Sequence, residues 1–168
     1  MINYKEKLKD ITTFVFDVDG VLTNGDVLLM PPAEMIRSMN TKDGFAMRFA
    51  LDQGYNICII SGGTSEPVRE RLKYLGIEDA FIGVTDKVKV FNQYITDKDI
   101  NKENVMYMGD DIPDYQVMLM SGLPCCPIDA VEEIKRIVEY ISPYEGGKGC
   151  VRDIIEQTLK VQGNWFNG

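Results

Sequence analysis

The feature that most narrows the fold of this chain is the regular alternation of short apolar runs with longer amphipathic ones. "ITTFVFDV" (11–18), "YNICIIS" (55–61), "AFIG" (80–83), "NVMYMGD" (104–110) and "LPCCP" (123–127) have the length and composition of buried strands. Between them lie segments of helical periodicity. "DGFAMRFALDQG" carries Phe45, Met47, Phe49 and Ala50 and closes on Gly54, and "SEPVRERLKYLG" opens with Ser65 as N-cap and Pro67 in its first turn and stops at Gly76. "DKVKVFNQYIT", "IPDYQVMLMSG", "AVEEIKRIVEYI" and a segment over 151–161 continue the pattern. Strand and helix in turn predict the α/β class, a doubly wound parallel sheet with helices on both faces. With 168 residues, one domain over 1–168 is expected.

One insertion breaks the rhythm. Between the first strand and the first helix, residues of about 25–39 place Val27, Leu28, Leu29, Met30, Met35, Ile36 and Met39 on either side of Pro31-Pro32. This pattern predicts a β-hairpin projecting from the carboxyl edge of the sheet, with too much apolar surface to stand in water, hence an interface between subunits.

Composition excludes several functions. The net charge of −8, without a cluster of Lys or Arg, argues against a nucleic-acid partner. No run reaches the roughly 18 apolar residues of a membrane span, and "MINYKEKLKD" lacks the pattern of an export signal, so a cytoplasmic location and no membrane association are expected. The four cysteines, Cys58, Cys125, Cys126 and Cys150, lack metal-binding spacing and are expected as reduced, packed thiols. Histidine is absent altogether, which removes Ser-His and Cys-His nucleophiles and the usual zinc sites.

Acid–base chemistry therefore falls to carboxylates, lysines or tyrosines, and these gather where a doubly wound sheet binds its ligands, at the carboxyl ends of the strands. The first strand ends in Asp17 and Asp19, the second in Ser61-Gly62-Gly63, the third leads to Asp86 and Lys87, and the fourth to Asp110, Asp111 and Asp114. Two carboxylates two residues apart repel each other, and a divalent cation relieves that repulsion. Mg²⁺ suits Asp17 and Asp110, because it takes hard oxygen ligands and commonly shares a phosphate. Ser61 with the N–H groups of Gly62 and Gly63 would hold phosphate oxygens, and Lys87 would add a positive charge. Cleaving a phosphate ester needs a nucleophile and a proton shuttle; Asp17 is expected as the first and Asp19 as the second.

The ordered set "DVDGVLT", "SGG", "DK" and "GDDIPD" resembles the haloacid dehalogenase superfamily of aspartyl phosphatases over nearly the whole chain. The resemblance implies Asp17 as nucleophile, Asp19 as acid–base and, through its backbone carbonyl, a metal ligand. It also implies Ser61 and Lys87 as phosphate contacts, Asp110 as the remaining metal ligand, and Asp111 and Asp114 in support. Only 44 positions separate Asp17 from Ser61, and 26 separate Ser61 from Lys87, so there is no room for a cap domain. The hairpin, "NTKDGFAM" and "GGKGCVRDIIEQTLKVQG" resemble capless members that act on sugar-acid phosphates and form tetramers through their hairpins. By that likeness Thr41 would contact substrate and Arg71 would reach a neighbouring subunit's site. Gly63 and Tyr74 stand where a branch acting on nine-carbon acids has Glu and Lys, which favours an eight-carbon acid. Two other classes share features with this set. A phosphorelay receiver domain would also combine a metal, a phosphorylated aspartate, a hydroxyl and a lysine, with Asp86 as acceptor, and would not turn over p-nitrophenyl phosphate; a non-catalytic oligomerisation module would keep the fold alone.

Overall fold

The computed structural model describes residues 3–166, so the outermost positions of the expected 1–168 domain lie outside the described residues. A short helix α1 (Tyr4–Lys7) leads into β1 (Thr13–Phe16), followed by a two-stranded hairpin, β2 (Leu28–Met30) and β3 (Glu34–Ile36). Then come α2 (Thr41–Asp52), β4 (Asn56–Ser61), α3 (Glu66–Tyr74), β5 (Asp79–Ile82), α4 (Lys87–Asp97), β6 (Val105–Met108), α5 (Tyr115–Met118), β7 (Leu123–Cys126), α6 (Glu132–Lys135), β8 (Tyr140–Ile141) and α7 (Cys150–Val161).

The main sheet has six strands in the order β5-β4-β1-β6-β7-β8, all parallel. Strand β1 lies between β4 and β6, with Val15 opposite Cys58 on one side and Tyr107 on the other. Its alternation sorts the core. Phe14 and Phe16 pack with Met47, Ile57, Ile59 and Met106 beneath α2 and α7, while Val15 packs with Cys58, Ile60, Phe91 and Tyr107 on the opposite face. Burial on both faces explains why these strands read as continuous apolar runs. All four cysteines are free and buried, as expected of packed thiols.

Several expectations need correction. "IPDYQVMLMSG" is not one helix: a tight turn over Ile112–Asp114, capped by Asp111 and containing Pro113, precedes the four-residue α5, and the chain after α5 bends so that the Gly122 N–H donates to the Lys102 carbonyl at 2.9 Å. "AVEEIKRIVEYI" holds only α6, and its end becomes an edge strand, with Tyr140 and Ile141 aligned beside Cys125 and Cys126. Phe45 is 53 % exposed while Ala46 is buried; its ring lies 5.9 Å from Phe49 and 5.7 Å from the Arg152 guanidinium on the outer side of α2. The hairpin forms as expected, and Leu28, Leu29, Met30, Met35 and Ile36 are all exposed on it.

Candidate active site

Strand order reverses at β1: the chain runs outward one way through β4 and β5 and the other way through β6, β7 and β8. Such a switch point splays the loops apart and leaves a crevice at the carboxyl edge. Asp17, directly after β1, sits in it. A cleft of about 590 Å³ is lined by Asp17, Asp19, Ser61, Gly62, Gly63, Lys87, Asp110, Asp111 and Asp114, among others.

Within it, the Lys87 ammonium, at the first turn of α4, lies 3.0 Å from Asp17 and 2.7 Å from Asp114. The Tyr107 hydroxyl, rising from β6, donates to the same Asp114 oxygen at 2.8 Å. Asp17 accepts the Val18 N–H at 2.7 Å. Gly20 turns with φ +84°, and a Cβ there would overlap the Asp110 carboxylate, so only glycine lets that side chain approach the loop. Ser61 Oγ accepts the Gly63 N–H at 3.2 Å. The Ser61 and Gly63 carbonyls accept the Val84 and Gly83 N–H groups at 2.9 and 2.8 Å, which ties the glycine loop to the segment before Lys87.

The electrostatics are those of crowded, dry carboxylates. Burial and then Asp114 push the Asp17 carboxyl upward against the pull of Lys87. Burial, then Asp114 and Asp111, raise Asp110 to about 7. Burial draws Lys87 down, but Asp17 and Asp114 outweigh it and its value ends raised. Burial, followed by Asp114 and Asp17, lifts the Tyr107 phenol. Asp17, Asp110 and Asp114 bring carboxylate oxygens within 4.8 Å of one another, and Asp114 Oδ2 is buried without a hydrogen-bond donor. Three acids facing one ammonium, with an orphaned oxygen among them, fit a hard divalent cation.

The structure thus brings Asp17, Asp19, Ser61, Gly62, Gly63, Lys87, Asp110, Asp111 and Asp114 to one cleft. Asp114 stands in the acidic cluster itself, whereas the Asp19 carboxylate turns aside to Arg37. Asp111 caps the following turn through Ile112 N–H at 2.7 Å. Thr41, exposed at the start of α2, and Arg71 lie outside this cleft; Arg71 lines a neighbouring depression with Met35, Arg37 and Val68 and stacks 5.4 Å over the Tyr74 ring. Asp86 caps α4 through Lys89 N–H at 2.9 Å and is not among the acidic cluster, which removes the acceptor that a receiver domain would need. Two polar contributors were not anticipated. Tyr107 carries no sequence signal beyond strand composition, and the only one Arg37 carries is that it is the sole basic residue between Lys9 and Lys42.

Known proteins resemble this chain over most of its length. Residues 82–154 match the family described as haloacid dehalogenase-like hydrolase. The 3-deoxy-D-manno-octulosonate 8-phosphate phosphatase KdsC of Escherichia coli is 32 % identical over 157 residues, 94 % of this chain and 84 % of that protein. The 3-deoxy-D-manno-octulosonate 8-phosphate phosphatase of Moraxella catarrhalis, solved with a magnesium ion, a phosphate ion and KDO, superposes with a TM-score of 0.93 at 29 % identity, covering 98 % of this chain and 95 % of that one. The cobalt-bound deoxy-D-mannose-octulosonate 8-phosphate phosphatase of Haemophilus influenzae gives 0.90 at 30 % identity, with coverage of 94 % and 92 %. A switch-point cluster of acids and one lysine, in a chain matched almost end to end by these relatives, places the protein in the haloacid dehalogenase-like hydrolases.

Proposed function

We propose that this protein is a magnesium-dependent phosphatase that releases phosphate from 3-deoxy-D-manno-octulosonate 8-phosphate, a step in lipopolysaccharide precursor synthesis. The observation that carries it is Asp17, held at the switch point 3.0 Å from Lys87 inside the acidic cluster, in a chain 32 % identical to a phosphatase named for that substrate.

In this reading Asp17 attacks phosphorus. The bond from phosphorus to the sugar oxygen breaks as the Asp19 proton passes to that oxygen, leaving the phosphoryl group on Asp17. Water then attacks the phosphoryl group, gives its proton to Asp19 and returns Asp17 as a carboxylate. Ser61, the N–H groups of Gly62 and Gly63, and Lys87 hold the phosphoryl oxygens. Asp17, Asp110 and the Asp19 carbonyl would hold the metal, with Asp114 beside them; when bound, the metal neutralises the approach of an anionic nucleophile to an anionic phosphate. Asp111 and Asp114 support the loop, Thr41 contacts the substrate, and Arg71 reaches the sugar acid from a neighbouring subunit.

That last role requires assembly. The exposed apolar hairpin supports a homotetramer joined through it, built from one domain per chain. No helix among the described residues is long and apolar enough to cross a membrane, which is compatible with a cytoplasmic enzyme. The test is phosphate release, with magnesium, from eight- and nine-carbon sugar-acid phosphates side by side. Preference for the eight-carbon acid, abolished by Asp17→Asn, is the expected result; preference for the nine-carbon acid overturns the substrate, and full activity of Asp17→Asn overturns the mechanism.

A further inference from the structure

The unexpected member of the site is Arg37, at the exit of the hairpin. Its Nε donates to Asp19 Oδ1 at 2.6 Å, its Nη2 to Asp19 Oδ2 at 3.1 Å, and its Nη1 to the Met35 carbonyl at 3.2 Å. Although the surrounding hairpin is exposed, the Arg37 side chain retains only 8 % of its accessible surface. The Asp19 side chain, by contrast, is 37 % exposed, and among the described residues Arg37 is its only hydrogen-bonding partner.

From this geometry we infer that Arg37 is a positioning residue that fixes the Asp19 carboxylate for proton transfer and thereby couples the hairpin to the chemistry. A carboxylate on a half-wet loop rotates freely unless something holds its plane, and a fork of two parallel N–H donors is the arrangement that does so. The two bonds are unequal. Oδ1, at the shorter distance, is the anchored oxygen; Oδ2, held more loosely, lies toward Gly63, since a Cβ on that glycine would be 3.3 Å from it. Oδ2 therefore faces the loop expected to hold phosphate and is the oxygen that exchanges the proton. The anchor is itself held, because the guanidinium is also tied to the preceding strand β3 at the Met35 carbonyl. A lysine could keep the charge but could not fix the plane.

This inference rests on the proposed acid–base role of Asp19, so its test separates the two. Proton transfer matters when the leaving group is an alkoxide and little when it is a readily departing aryl oxide. We therefore compare hydrolysis of a primary alkyl phosphate and of p-nitrophenyl phosphate, with magnesium, by wild type, Arg37→Gln, Arg37→Lys, Asp19→Asn and the Asp19→Asn/Arg37→Gln pair. Arg37→Gln is expected to lower kcat on the alkyl ester by about 10²-fold, the scale of a misplaced catalytic group, and on the aryl ester by no more than about threefold. Arg37→Lys, which keeps the charge without the fork, should stay closer to Arg37→Gln than to wild type on the alkyl ester, and Arg37→Gln should add little once Asp19 is already Asn. An equal loss on both esters, a rise in KM with kcat intact, or no loss at all overturns the positioning role. If Asp19→Asn shows no leaving-group dependence, the Asp19 assignment fails, and this inference with it. Wild type that hydrolyses both esters but ignores the octulosonate ester would refute the substrate alone.

Discussion

Replacing Asp110 by Asn should stabilise the metal-free protein and remove its response to magnesium. In the folded chain Asp110 is raised from an ordinary 3.8 to about 7, mainly by burial and then by Asp114 and Asp111. The folded state therefore keeps this proton in a range where the unfolded chain has released it. Stability falls as pH rises from about 4 through about 7, because over that window the unfolded chain binds fewer protons. At about 1.4 kcal/mol per pH unit, a carboxyl moved from 3.8 to about 7 is disfavoured as an anion by about 4 kcal/mol. Asp110 is not fully dry, so roughly half of that, about 2 kcal/mol, is the working value. For a chain of this size this corresponds to roughly 4–8 °C in Tm. The assay is thermal melting between pH 4 and 8, with chelator or with saturating magnesium. Wild type and Asp110→Asn should melt together near pH 4 without metal, and the variant should melt progressively higher toward pH 8. Magnesium should raise only the wild type appreciably, most at high pH. A variant that melts lower than wild type at pH 8 without metal, or a gap that does not widen with pH, would refute the reasoning.

Three further outcomes follow from the same geometry. Lys87→Met leaves Asp17 and Asp114 buried without their shared cation, and chemical denaturation of the metal-free protein should show a loss of about 3–5 kcal/mol. Gly146 packs against the Gly20 and Thr23 carbonyls so closely that a Cβ would overlap Gly20; Gly146→Ala should cost about 1–3 kcal/mol and lower phosphate release, even though Gly146 does not line the cleft. Leu29, 74 % exposed on β2, contributes little within one chain, so Leu29→Glu should leave the melting of the subunit within about 0.5 kcal/mol while shifting sedimentation toward smaller species; wild type that sediments as a monomer would remove the basis for that expectation.

The parts of the fold that sequence exposes are those where one physical requirement dominates. Strands β1, β4 and β6 are buried on both faces and read as largely apolar runs, and the polar residues at or just beyond their ends, Asp17, Ser61 and Asp110, mark the edge where the cleft forms. Strand β8 has no such mark. The Ile134, Ile137, Val138 and Ile141 spacing of the segment that ends in it suits a helix, and the contacts that hold β8 are distant: the Tyr140 hydroxyl bonds Asp153 at 2.6 Å and its ring stacks on Tyr4 at 4.6 Å. Asp114 read as a supporting residue because its distance along the chain from Asp110 says nothing of the tight turn over Ile112–Asp114, which carries it back beside Asp17. The Arg37–Asp19 pair joins an insertion to a loop 18 positions away, a contact that no local pattern encodes.

The central place of β1 also has a consequence for biosynthesis. Strand β1, made before either of its partners, acquires one neighbour when β4 is made, but its other flank stays open until β6 follows. Translating the stretch between Ser61 and Val105 takes roughly 2–9 s at about 5–20 residues per second. For that interval the nascent chain presents a bare strand edge, and the site around Asp17 stands half built, so no phosphatase activity can emerge before β6 and the Asp110 loop have been translated.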